Sequence, residues 1–118
     1  MIQINTTDSE LPPGDRSPRF QVGQIVHHRR YRYRGLIVAL DEHCQASMQW
    51  YFANQTQPKR EQPWYHVLVD QALHTTYVAQ ENLALSDDPA KIIHPLVEGY
   101  FSHFLEGRYV RNDRPWEH

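Results

Sequence analysis

The densest chemical signal in the sequence is His27-His28-Arg29-Arg30-Tyr31-Arg32-Tyr33-Arg34, four arginines interleaved with two tyrosines and no carboxylate. A guanidinium offers a rigid fork of donors to phosphate or carboxylate, and a phenol beside it can stack or hydrogen-bond. In an extended segment Arg30, Arg32 and Arg34 share one face, because side chains alternate along a strand. Such a row can follow phosphates along a nucleic-acid groove. Lys59 and Arg60 are the cations that could add to it. The plainer alternative is an edge strand kept soluble by its charge, with no ligand.

Other constellations carry less chemistry. Trp50, with Tyr31 and Tyr33, could anchor a protein partner, since Trp, Tyr and Arg dominate interface hot spots. Trp64 reads as core and Trp116 as a frayed end. His27, His28, His43, His66, His74 and Cys44 are possible metal ligands, yet no Cys-x-x-Cys or second thiol occurs. Zinc needs three or four convergent ligands at typical spacings, so no metal or other cofactor is expected. Cys44 could pair with a histidine as a nucleophile, but on an apolar helix face a cysteine packs as a small hydrophobe. With no glycine-rich phosphate loop or nucleophile elbow, no enzyme and no small-molecule substrate are expected.

The bulk numbers agree with one soluble domain. The chain has 118 residues, 40% hydrophobic and 22% charged, a formal net charge of −2 and a single cysteine. A globule of this length buries one modest core. The charge provides no general pull toward polyanions, so nucleic-acid binding needs a local patch. One cysteine excludes an internal disulfide and points to a reducing, cytoplasmic setting. No run approaches the length of a membrane helix. Met1 to Asp8 lacks a basic and then apolar leader, so no secretory signal is expected.

The element that must position the arginines is Tyr33 to Asp41. Its apolar middle, Leu36-Ile37-Val38-Ala39-Leu40, predicts a strand buried on both faces or bent sharply through a barrel. Gly35 marks a bulge or a close backbone approach. Residues 1–19 read as a flexible arm, 20–112 as the domain and 113–118 as a tail. Ile25-Val26 begins a first strand, and His27–Arg34 is a hairpin connection or strand edge. Cys44, Met48, Tyr51 and Phe52 fall at helical spacing, with Asp41 as N-cap. Trp64–Asp70 and His74–Val78 predict paired strands, and Glu81–Leu83 a single helical turn. Leu96, Tyr100, Phe101 and Phe104 could line a short C-terminal helix, before a last strand at Arg108–Arg111. The sum is mainly β: a small SH3-like barrel with one helical insertion and a short C-terminal helix.

Three stretches together carry a resemblance. Tyr33-Arg34-Gly35-Leu36-Ile37-Val38 leads to Asp41 and Cys44. Gln62-Pro63-Trp64-Tyr65-His66-Val67-Leu68-Val69-Asp70 follows, and then Thr76-Tyr77-Val78-Ala79-Gln80-Glu81-Asn82-Leu83. In order and spacing they resemble the YccV/HspQ family, the hemimethylated-DNA-binding domain. The stretch from His94-Pro95-Leu96 through Tyr100-Phe101 to Gly107-Arg108-Tyr109-Val110 is similar to its extended form, found also within larger eukaryotic proteins. The resemblance implies an SH3-like barrel and two non-enzymatic activities. One is binding of duplex DNA methylated on one strand. The other is service as an adaptor or specificity factor for an ATP-dependent protease of the Lon or Clp type. It transfers no catalytic residue.

Overall fold

Strands β1 (Ile25–His28) and β2 (Arg34–Asp41) form the hairpin on which a computed structural model of the protein is built; the structure describes residues 17–117. Strands β3 (Trp64–Val69), β4 (Thr75–Ala79) and β5 (Leu83–Leu85) complete an antiparallel sheet of order β4-β3-β2-β1-β5. A single 3-10 turn, Gln80–Asn82, joins β4 to β5. A separate hairpin, β6 (Phe101–Leu105) and β7 (Arg108–Arg111), follows the one-turn helix α2 (Val97–Tyr100). The described pairings leave the five-stranded sheet open, with β4 and β5 at its edges, so the barrel closure expected from the sequence is not found.

As its apolar run requires, β2 is buried on both faces. Leu36 and Val38 join Ile25, Leu68, Ile92, Tyr100, Phe101 and Tyr109 in one cluster. Ile37 joins Phe20, Val26, Tyr65, Val67, Val78 and Leu83 in the other. Each fully buried aliphatic side chain here contributes about 1.5–3 kcal/mol. The register irregularity falls between Ile37 and Ala39. Gly35 instead marks a close approach, since a Cβ there would collide with the Val67 side chain and lie 2.9 Å from the Leu68 carbonyl.

Several expectations need correction. Asp41 does not cap a helix; it is the last residue of β2, paired with Trp64. Helix α1 (Met48–Ala53) is capped by Ser47, whose hydroxyl accepts from the Trp50 amide at 3.1 Å. Cys44 lies before it in a loop, its amide donating to the Arg60 carbonyl. It is buried with Tyr51, Trp64 and Ala79, while Met48 and Phe52 face solvent. The C-terminal helix stops at Tyr100, because Glu106 and Gly107 both take positive φ and close a two-residue hairpin turn. That turn type pulls Phe101–Leu105 into a ladder. Trp116 packs against Tyr100 and His66 rather than fraying. Most of the arm assigned to residues 1–19, residues 1–16, lies outside the described residues. Arg19 and Ser17 are tied to the Gln80 side chain, at 2.8 and 3.3 Å. Among the described residues no helix is long and apolar enough to cross a membrane.

Candidate interaction surface

The arginine run is a compact turn, not an extended row. The His28 ring is buried and its Nδ1 accepts from the amides of Arg30 and Tyr31, at 3.1 and 3.0 Å. The Arg32 amide donates to the His28 carbonyl, and Arg32 takes φ 69°. Rings of Tyr31 and Tyr33 flank the imidazole at 4.7 and 5.2 Å. The chain therefore wraps around His28, and Arg30, Arg32 and Arg34 do not share one face. Arg29, Arg30 and Arg32 are exposed at the tip. Arg29 donates to the Glu81 carbonyl at 3.2 Å and Arg30 lies over the Tyr31 ring. Arg32 makes no side-chain hydrogen bond or ion pair among the described residues.

Burial, aided by the Arg30 and His27 charges, lowers the His28 pKa. The sign follows from proton counting: as pH falls below the ordinary histidine value, the unfolded chain takes up a proton that folded His28 resists, so stability falls. Stability from this group is full above about pH 6.5 and is lost as pH drops through the folded value. His28→Ala, which leaves two amides without their acceptor, is expected to cost about 1–3 kcal/mol and to abolish this acid dependence. Urea midpoints of the two proteins across an acid series check it.

The other candidate cations are placed differently. Arg34 is held internally: its guanidinium meets Asp70 at 2.8 Å and Asp88 at 3.7 Å and donates to the Asp88 and Ala90 carbonyls. Arg60 donates to the carbonyls of Cys44 and Ala46, at 3.3 and 2.6 Å, and lies over the Tyr51 ring. Lys59 is exposed in the same loop. Tyr33 shares a 2.7 Å hydrogen bond with Thr76, and Tyr31 donates to Gln55 at 2.9 Å, which ties the tip to the segment after α1.

Beyond that tie lies a groove of about 920 Å³, walled by Trp50, Tyr77 and Trp116 and floored by Asp41 and His66. A smaller cavity of about 110 Å³, bordered by His28, Tyr33, Trp50 and Tyr77, separates it from the tip. Trp50 stands edge-on to Trp64 and Tyr77. Tyr77 and His66 are cross-strand partners with rings 4.4 Å apart. Asp41 Oδ2 accepts from the Tyr77 phenol at 2.6 Å and from His66 Nε2 at 3.3 Å. Burial first, and the bond to Asp41 second, raise the Tyr77 pKa, so the phenol stays a donor. No three of His, Cys, Asp and Glu converge as metal ligands among the described residues. Sequence reading missed Asp41, His66 and Tyr77 as a unit; the signal was there only once the β3–β4 register was known.

The arrangement offers exposed guanidinium groups beside an aromatic groove. Compared with known proteins, residues 18–108 match the family described as hemimethylated DNA-binding protein YccV like. F-box only protein 21 from Homo sapiens and from Pongo abelii is 34% identical over 96 residues, 79% of this chain. The Mus musculus protein is 33% identical over the same length. The chain spans about 15% of the length of these relatives. The family match covers most of the sequence and the whole of the five-stranded sheet, and on that ground the chain belongs to the YccV-like family.

Proposed function

We propose that the domain is a non-enzymatic DNA-binding module that holds duplex phosphates at the tip between β1 and β2. The observation that carries the reading is the exposure of Arg29, Arg30 and Arg32 on a turn pinned by His28, with no carboxylate in the run. Lys59 provides a fourth contact. Arg34 and Arg60 are assigned to the fold, because their guanidinium groups are mostly turned inward, Arg34 onto Asp70 and two carbonyls and Arg60 onto the carbonyls of Cys44 and Ala46. The family description supports the same partner.

Each neutralised phosphate contributes about −0.9 to the slope of log affinity against log salt, so four cations predict about −3.6. Fluorescence anisotropy on a labelled duplex over a salt series measures it. Replacing Arg29, Arg30 and Arg32 together by alanine is expected to reduce the slope to about −0.9. A flat response in the wild type, or an unchanged slope in the triple variant, discards the reading. Parallel hemimethylated and unmethylated duplexes decide whether methylation is read.

A second reading, an adaptor or specificity factor for an ATP-dependent protease of the Lon or Clp type, is favoured by α1. Met48 and Phe52, one turn apart on it, are 52% and 63% exposed, and Trp50, on the other side of the helix, is 37% exposed, apolar side chains of the kind partners cover. Recovery of the protease by the wild type and not by Trp50→Ala is the result this reading requires.

A further inference from the structure

The geometry points to the groove between Trp50, Tyr77 and Trp116 as a binding site for a cationic side chain, lysine or arginine, presented by a peptide partner. Asp41 is the charge that selects it. Its Oδ2 is held by Tyr77 and His66, while Oδ1 has no hydrogen-bond partner among the described residues and the side chain is 28% exposed. A carboxylate fixed on one oxygen and open on the other is oriented for a charge-assisted bond at low reorganisation cost. The persistently protonated Tyr77 phenol keeps that orientation.

The walls suit the same ligand. A cation over the face of an aromatic ring is attracted to it, most strongly to tryptophan. Elsewhere this chain covers its rings with its own guanidinium groups: Arg60 over Tyr51 at 5.1 Å, and Arg111 and Arg114 over Tyr100 at 5.0 and 4.6 Å. Among the described residues no cation of the chain lies over Trp50 or Tyr77, and none of those lining the groove is a lysine or arginine. Its volume of about 920 Å³ admits an arginine with its flanking backbone. A phosphate is the wrong guest, because Asp41 would repel it. The inference does not rest on the DNA reading; a domain that binds no DNA still carries this groove.

The test is a titration, followed by tryptophan fluorescence, of the full chain at about pH 8, above the ordinary histidine range. The probes are seven-residue peptides with one central arginine, lysine or citrulline among glycine and serine. The arginine and lysine peptides are expected to bind at least about tenfold more tightly than the citrulline peptide, an isostere without charge. Asp41→Asn, which keeps the size, is expected to remove that preference, and Trp50→Ala, titrated well below its own Tm, to weaken the arginine peptide several-fold. The tip variant lacking Arg29, Arg30 and Arg32 is expected to bind peptide as the wild type does, which separates this site from the DNA surface. Equal binding of arginine and citrulline peptides, no arginine-peptide binding up to about 5 mM, or an unchanged preference in a folded Asp41→Asn protein overturns the proposal. Should Asp41→Asn fail to fold, an arginine-peptide affinity undiminished in Trp50→Ala overturns it as well.

Discussion

Gly23→Ala is expected to destabilise the domain by about 4 kcal/mol and to release the C-terminal hairpin from the sheet. Gly23 sits just before β1 at φ 98°, and its carbonyl accepts from the Tyr109 amide at 2.9 Å. Its own amide donates to the Ile37 carbonyl at 2.9 Å. One residue thus stitches β7 to the centre of β2. A methyl group there would fall on the Tyr109 carbonyl, which is backbone and cannot rotate away. A non-glycine residue in the left-handed region costs about 1–2 kcal/mol, and forced overpacking about 1–3 kcal/mol. Against a total stability of roughly 5–15 kcal/mol such a loss is severe. Two controls separate the causes. Gly107→Ala keeps the strain, at φ 78°, but meets only Pro89 at 3.7 Å, and should cost about 1 kcal/mol. Gly99→Ala meets the movable end of Arg114 and should cost less than about 1 kcal/mol. Urea unfolding gives the ranking, and hydrogen exchange at the Tyr109 amide shows whether the hairpin opens first. If Gly23→Ala costs no more than Gly107→Ala, the clash is relieved and the stitch is not what docks the hairpin.

What could be read from the chain was what depends on near neighbours. The strands at Arg34–Asp41, Trp64–Val69 and Thr75–Ala79 follow from β-branched and apolar runs bounded by turns. The basic character of the tip was equally plain. The failures have one physical origin, competition from partners far along the chain. Asp41 has the chemistry of an N-cap, but Tyr77, 36 residues later, takes its carboxylate. Leu96, Tyr100, Phe101 and Phe104 satisfy a helical spacing, yet the turn at Glu106 and Gly107 offers Phe101–Leu105 a ladder instead. Strand β5 is three residues long and has too little pattern to declare itself. The shape of the arginine run was hidden in the same way. Spacing showed four arginines in one run, but not that a buried imidazole folds three of them into a turn while the fourth faces Asp70.

That fourth arginine makes the last expectation. Asp70→Ala should lower stability by about 3 kcal/mol, or roughly 12 °C in Tm for a domain of this size. The pairing of Gly35 with Val69 brings Arg34 and Asp70 together at the end of the β2–β3 ladder. Their side chains are only 18% and 7% exposed, and the second Asp70 oxygen accepts from the Ile93 amide at 2.8 Å. Asp70 therefore fastens the linker that precedes α2 as well as neutralising Arg34. Removing it leaves a mostly buried guanidinium with only the more distant, exposed Asp88 carboxylate and two carbonyls, and the Ile93 amide without its acceptor, and weakening the pairing of a buried charge is what makes such losses large. Arg34→Ala should cost a similar amount, and the double variant less than the sum by about 1–3 kcal/mol, because both single changes break one interaction. The same cycle bears on DNA. If Arg34 works for the fold alone, Arg34→Ala measured well below its Tm keeps the wild-type salt slope. A slope reduced by about 0.9 would make Arg34 a phosphate contact and move the binding surface from the hairpin tip toward the base of β2.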